Sequence, residues 1–318
     1  VTGSVAAIIG FGLAFAALGL ANVNWLVALV TLVLTILFSV YLQNRGFIGM
    51  LPILLGAIVG YLLSAVLDPG SVNLSSVAAA PLLQTPHFTF PTFSGPLIAT
   101  AIASIAIMAI ATIPESTAHL YQISLYVDRF ADEVKQARYK LDENIGFNLV
   151  LDGIGDSING LFGATAGTNY GENNSLMAIT RAYSGPAILA AGVIAILLGF
   201  VGKLAALVAT VPLAVTGGLA IYLFGVIGMQ GIALMQEHKV SMFDPRNMAV
   251  GATIMVIGIG GNIGFAGGFI PVTVPGIFPN GLPAIATAAV LGILLNLIFL
   301  VFAPPERAPA MEMGSASD

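Results

Sequence analysis

Residues Thr168 to Ser184 read TNYGENNSLMAITRAYS, and this stretch decides the fold. It lies between two long apolar segments, yet Tyr170, Gly171, Glu172 and Asn173 follow one another within it. Only about a dozen helix-compatible residues come next, before the Ser184-Gly185-Pro186 break. A full membrane crossing takes ~20 apolar residues. The stretch therefore reads as a half-helix that starts near mid-membrane with a glutamate at its head. Irregular backbone at that depth persists only where it is buried in protein or lines a cavity. Broken helices with polar starts mark the substrate sites of many secondary transporters.

The rest of the chain supplies the setting. Of 318 residues, 58% are hydrophobic and 8% charged, with a mean hydropathy of +0.98. Soluble domains carry about 25% charged residues, so this is an integral membrane protein. Apolar segments recur along the whole length, near 1–21, 25–43, 48–67, 97–125, 146–164, the broken element 168–183, 186–202, 212–236, 247–265 and 283–303. Strands of period two are absent, so the expected architecture is an all-α polytopic membrane protein. The 37 glycines suit close helix packing in lipid. The first segment is too long for a signal peptide and lacks a basic start.

Several chemistries are excluded. The chain has no cysteine, and hence no disulfide or thiolate metal site. It has no P-loop and no H-E-x-x-H motif. Its histidines are His87, His119 and His238, and His87 and His238 fall in loops on opposite sides of the membrane. No metal or other cofactor is expected, and no basic, aromatic-rich patch points to nucleic acid.

The cations set the orientation. Arg45, Arg129, Lys135, Arg138, Lys140, Arg181, Lys239, Arg246 and Arg307 share one face if the spans alternate, and Lys203 alone falls on the other. The positive-inside rule places that shared face, with the C-terminus, in the cytoplasm. The 68–96 loop, without Lys or Arg, is then extracytoplasmic. The 126–145 loop alternates both signs and reads as a solvated connector. The 304–318 tail is polar and expected to be a disordered cytoplasmic end. Lys203 reads as snorkelling to the interface.

Ionisable groups at membrane depth are costly and are candidates for function. Glu115 and His119 are four apart, so they share a helix face beside Pro114, which removes a backbone hydrogen bond and bends the helix. They read as a proton or substrate pair, or as a buried tie between helices. Glu172 reads as a ligand group, or as a cap favoured by the helix dipole, a role Asn173 also suits. Asp152 and Asp156, also four apart, read as structural or access residues.

These passages resemble the nucleobase–ascorbate transporter family, also called nucleobase–cation symporter-2, and its uracil permease branch. E-x-x-x-H at Glu115 and His119 matches its eighth helix. N-Y-G-E-N followed by M-A-I-T-R-x-Y-S, from Asn169 to Ser184, matches its tenth. Val201 to Gly225 is similar, more weakly, to the approach to its twelfth. The Y-G-E-N form points to the pyrimidine branch, since xanthine and urate carriers usually have Gln at the Glu172 position. Two positions depart from the pattern: Ser175 stands where Gly is usual, and Asn174 where an aliphatic residue is.

The resemblance implies a fold of fourteen spans in two inverted seven-helix repeats, of which this chain holds about ten. It would begin at the fifth span, N-terminally incomplete. Residues 1–67 would close the first repeat with gate-type helices, 97–202 would be core-type spans carrying the site, and 203–303 gate-type spans. The implied activity is proton-coupled import of a nucleobase, uracil foremost, across the plasma or inner membrane. Glu115, Tyr170, Gly171 and Glu172 would contact the base, and Glu115 and His119 would carry the coupled proton. Asn173, Thr180 and Arg181 would support the motif. The partners implied are the base, the proton and the bilayer, and a homodimer is a compatible assembly. The alternatives are a purine or anion carrier of the same architecture, a non-transporting fragment and, from another class, an intramembrane enzyme, for which no nucleophile–base constellation is present.

Overall fold

The computed structural model describes residues 1–42, 45–85, 88–92, 95, 98–167, 169, 173–174, 177 and 181–302, with the backbone alone at 50, 100, 104, 107, 108, 110, 111, 114, 115 and 237. The helices among them are α1 (Thr2–Ala21), α2 (Trp25–Tyr41), α3 (Pro52–Leu67), α4 (Leu74–Ala79), α5 (Ile98–Glu133) and α6 (Ile145–Leu161). They continue with α7 (Gly185–Leu198), α8 (Gly202–Ala209), α9 (Leu213–Glu237), α10 (Pro245–Gly264) and α11 (Ala284–Val301). A π-turn at Val256–Gly260 interrupts α10. Two short antiparallel strands, β1 (Phe269–Ile270) and β2 (Leu282–Pro283), join α10 to α11. By length and composition, α1, α9, α10 and α11 are each able to cross a membrane.

Local chemistry sets the helix starts. Asn24 caps α2 by accepting from the Val27 N–H at 3.3 Å. The Ser184 hydroxyl accepts from Ala187 N–H at the head of α7, with Pro186 in the first turn. Asp244 does the same for Arg246 at the head of α10, beside Pro245. Each pairing satisfies one of the N–H groups that a helix start leaves free, and proline has none to lose there.

The expected element 168–183 lies mostly outside the described residues; the other expected spans and the observed helices agree to within a few residues, with four differences. Helix α5 runs on to Glu133, so residues 126–133 of the expected loop are helical. Beyond it, Asp128 accepts from the N–H groups of Tyr139 and Lys140, at 2.8 and 3.1 Å, which folds the chain back. Pro114 does not interrupt α5. The expected 186–202 span ends at Leu198, and the chain turns before α8. The 68–96 loop holds α4, and Lys203 donates to the carbonyls of Val77 and Ala78, at 3.4 and 3.5 Å. Lys203 therefore closes the end of α4 instead of only reaching for the interface.

Packing is densest where side chains are smallest. Helices α1 and α9 run antiparallel in contact. A Cβ on Gly10 would meet the backbone of Gly228 and Phe224, and one on Gly231 the backbone of Ala7 and Gly3. Lipid offers no hydrophobic drive between helices, so such close backbone approach is what holds them. Gly56 and Gly60 of α3 sit likewise against Thr35 and Thr31 of α2. Val5 and Ile8 of α1 pack with Val250 and Ile254 of α10 and Ala288 and Ala289 of α11. Asn262 ties α10 to α1 by donating to the Gly12 carbonyl at 2.6 Å. Helices α1, α2, α3, α9, α10 and α11 thus form one packed group, and α5 lies against it through α11 and α1. Helices α6 and α7 instead present exposed apolar side chains, among them Phe147, Ile154, Leu189 and Ile196.

Candidate substrate and proton site

Helix α5 and the broken segment meet at His119. A backbone carbonyl can only accept, so the 2.9 Å contact between His119 Nδ1 and the Asn169 carbonyl is an N–H donated by the imidazole. That bond fixes the tautomer: Nδ1 holds a proton, and Nε2 is the nitrogen that gains or loses one. Asn174 closes the junction from the other side, its Nδ2 donating to the His119 carbonyl at 2.8 Å. The Asn174 side chain is buried, as is Ser116 on the same stretch of α5. Glu115 lies one helical turn before His119 on the α5 backbone.

The segment is held at both ends as well. Asp156 of α6 accepts from the Gly167 N–H at 2.6 Å, just before the motif begins. Arg181, at a positive φ of 54°, pairs with Glu133 at 2.9 Å, and its guanidinium lies over the Phe130 ring, 5.9 Å from the centroid. The Tyr183 ring lies against the same Phe130 at 5.7 Å. Exposed ion pairs are worth little energetically, so this pair sets position more than stability. Among the described residues, the buried Asn169 Nδ2 has no hydrogen-bond partner.

The side chain of Glu115, and Tyr170, Gly171, Glu172 and Thr180, lie outside the described residues. Among those described, His119, expected to carry the coupled proton, contacts Asn169, and Arg181, expected to support the motif, pairs with Glu133 of α5. Asn173 is helical. Asp156, read as a structural or access residue, accepts from the Gly167 N–H. Sequence reasoning did not assign partners to Asn169, Asn174 or Glu133. The signal for Asn174 was visible as an amide where an aliphatic residue is usual; Glu133 gave none, since it lay in a stretch read as loop.

A cavity of about 160 Å³ opens between α1, α5 and α9, with His119, Tyr121 and Gln122 on one wall and Gln230 and His238 on the other. A larger one, about 460 Å³, shares Ala118, Tyr121, Leu234 and His238 with it and extends towards Asn247 at the start of α10. Among the described residues no group of His, Asp and Glu side chains is arranged to hold a metal ion.

Long apolar spans, and a polar stretch between α6 and α7 that is tied to α5, fit a multi-pass α-helical membrane transporter. The particular family follows from sequence comparison: a profile of the Permease family matches residues 1–267, and the chain belongs to that family. It is 35% identical over 323 residues to the uracil permease of Bacillus caldolyticus, covering 98% of this chain and 68% of that protein. It is 35% identical over 314 residues to the uracil permease of Escherichia coli (strain K12), covering 93% of this chain and 66% of that protein. The putative pyrimidine permease RutG of the same strain is 32% identical over 324 residues, with 98% and 67% covered. The chain therefore spans about two thirds of the length of these relatives.

Proposed function

We propose that this protein is a proton-coupled symporter that imports a nucleobase, with uracil as the substrate. The observation that carries the reading is the double tie of His119 to Asn169 and Asn174, which fastens the Y-G-E-N segment to α5 one turn from Glu115. Relatives named uracil and pyrimidine permeases support the choice of base.

Uracil is flat, with two N–H donors and two carbonyl acceptors. Carboxylates of Glu115 and Glu172 suit the donors, because charge-assisted hydrogen bonds are the strong ones. Gly171 offers backbone, Tyr170 shapes the pocket, and the open Asn169 amide suits a ring carbonyl. His119, with Nδ1 committed to Asn169, has Nε2 free to carry the coupled proton. A neutralised site costs less to carry through the bilayer than a charged one. The dense group of α1–α3 and α9–α11 supports a rigid gate body, against which α5, the broken segment, α6 and α7 move as the core body. The cytoplasmic face is the one bearing Arg129, Lys239 and Arg246, with the C-terminus on that side.

The test is uptake of radiolabelled uracil into vesicles containing the protein expressed from its own gene. An imposed inward proton gradient should drive accumulation. A sodium gradient at constant pH should not, and accumulation driven by sodium alone would overturn the coupling. Glu172→Gln should weaken binding by roughly 1.5–3 kcal/mol, the usual worth of a hydrogen bond to a charged group.

A further inference from the structure

We propose that His238 is the cytoplasmic acceptor of the transported proton, receiving it from His119 across the cavity between α5 and α9. The inference rests on the proton-symport reading above and deepens it. Two histidines, one on α5 and one just past the end of α9, line one cavity of about 160 Å³. Both are held the same way: His119 Nδ1 donates to the Asn169 carbonyl at 2.9 Å, and His238 Nδ1 donates to the Leu234 carbonyl at 3.0 Å. In each ring the proton-exchanging nitrogen is therefore Nε2. A cavity of this volume has room for several waters, and His119, Tyr121, Gln122, Gln230 and His238 are the polar groups on its otherwise apolar wall that can anchor them between the two imidazoles.

The positions suit the two ends of a route. His119 is half-buried, one turn from Glu115, whereas His238 is exposed at the end of α9, next to Lys239. The cavity has few competitors for the proton. Of the described residues lining it, α5 contributes Tyr121 besides His119, α9 contributes no titratable group besides His238, and α1 contributes none. Gln122 donates to the Tyr126 hydroxyl at 2.9 Å, and Gln230 is an amide; neither titrates. The larger cavity, which shares Tyr121 and His238 with it, adds no further Asp, Glu, His, Lys or Tyr among the described residues. The step balances simply: one proton leaves Nε2 of the His119 imidazolium, crosses by water to Nε2 of neutral His238, and passes from there to the cytoplasm.

Net uptake requires that proton to be released inside, but exchange of external for internal uracil does not. His238→Gln keeps an N–H able to reach the Leu234 carbonyl and removes the titrating nitrogen. In the protein expressed from its own gene, His238→Gln should lower net proton-driven uptake several-fold while uracil binding and uracil–uracil exchange stay at wild-type rates. His238→Glu, which restores a titrating group of lower pKa, should return net uptake with its internal-pH profile displaced to the acid side. Unchanged net uptake in His238→Gln would overturn the proposal. So would an equal fall in exchange, or a profile in His238→Glu identical to that of His238→Gln. Wild-type uptake indifferent to a pH step would instead overturn proton symport itself, and with it the premise.

Discussion

Helices α1 and α9 meet through backbone, with glycine laid against glycine, whereas α5 and the polar segment after α6 meet through an imidazole, one side-chain amide and an ion pair. The first kind of contact has one register and no give, since every ångström lost opens a void in a dense interface. The second is made of a few directional bonds that can be broken and remade. A transporter needs both: a body that does not deform and a site whose bonds respond to a ligand and a proton. The difference between the two regions can be broken or sharpened by substitution.

The largest effect is expected at Gly10. Gly10→Leu would press a side chain onto the backbone of Gly228 and Phe224. Overpacking costs about 1–3 kcal/mol where neighbours can shift, and here they are main chain. No monodisperse folded protein should emerge from size-exclusion chromatography. Gly192→Leu on α7, where a Cβ would meet nothing within 4 Å, should elute as wild type. Equal behaviour of the two variants would erase the contrast between the regions.

Next in size is the junction at His119. His119→Phe leaves the Asn169 carbonyl without its donor, and an unmet buried polar group costs about 1–3 kcal/mol. The protein should still fold, through its dense helices, and lose uracil binding by calorimetry. Asn174→Leu removes one neutral hydrogen bond, worth about 1 kcal/mol, so affinity should fall roughly fivefold. Loss of the folded state in either variant would show that the polar junction is as structural as the glycine seam.

Two smaller effects lie at the periphery. Lys203→Met should speed hydrogen exchange in residues 74–79 without altering binding, because among the described residues the lysine bonds the carbonyls of Val77 and Ala78 at the end of α4. At the head of α10, hydrogen bonds from the Arg246 side chain and backbone hold the Asp244 carboxyl below its ordinary value of 3.8. A depressed folded value means that the cap contributes at neutral pH and is lost as pH falls through that value. Carbon-13 titration of Asp244 should therefore show a midpoint on the acid side of a free aspartate, and Arg246→Met should move it back up. An unshifted midpoint would remove this cap from the account.

Much of this molecule was legible in the amino-acid order alone. Each span must satisfy its own backbone hydrogen bonds in lipid, so length and hydropathy located α1, α2, α3, α9, α10 and α11 to within a few residues. The break at Ser184-Gly185-Pro186 became the capped head of α7 for reasons that are purely local. That Glu115 and His119 stand one turn apart on α5 followed from helical spacing. Other features depended on groups far apart in the chain. Which nitrogen of His119 carries the proton is decided by a carbonyl 50 residues away. That Glu133 belongs to a helix at all, and so reaches Arg181, depended on how the chain folds back beyond it. The seam of Gly10 with Gly228 is invisible in composition, because glycine says only that a neighbour can come close, and the tertiary structure decides which one does.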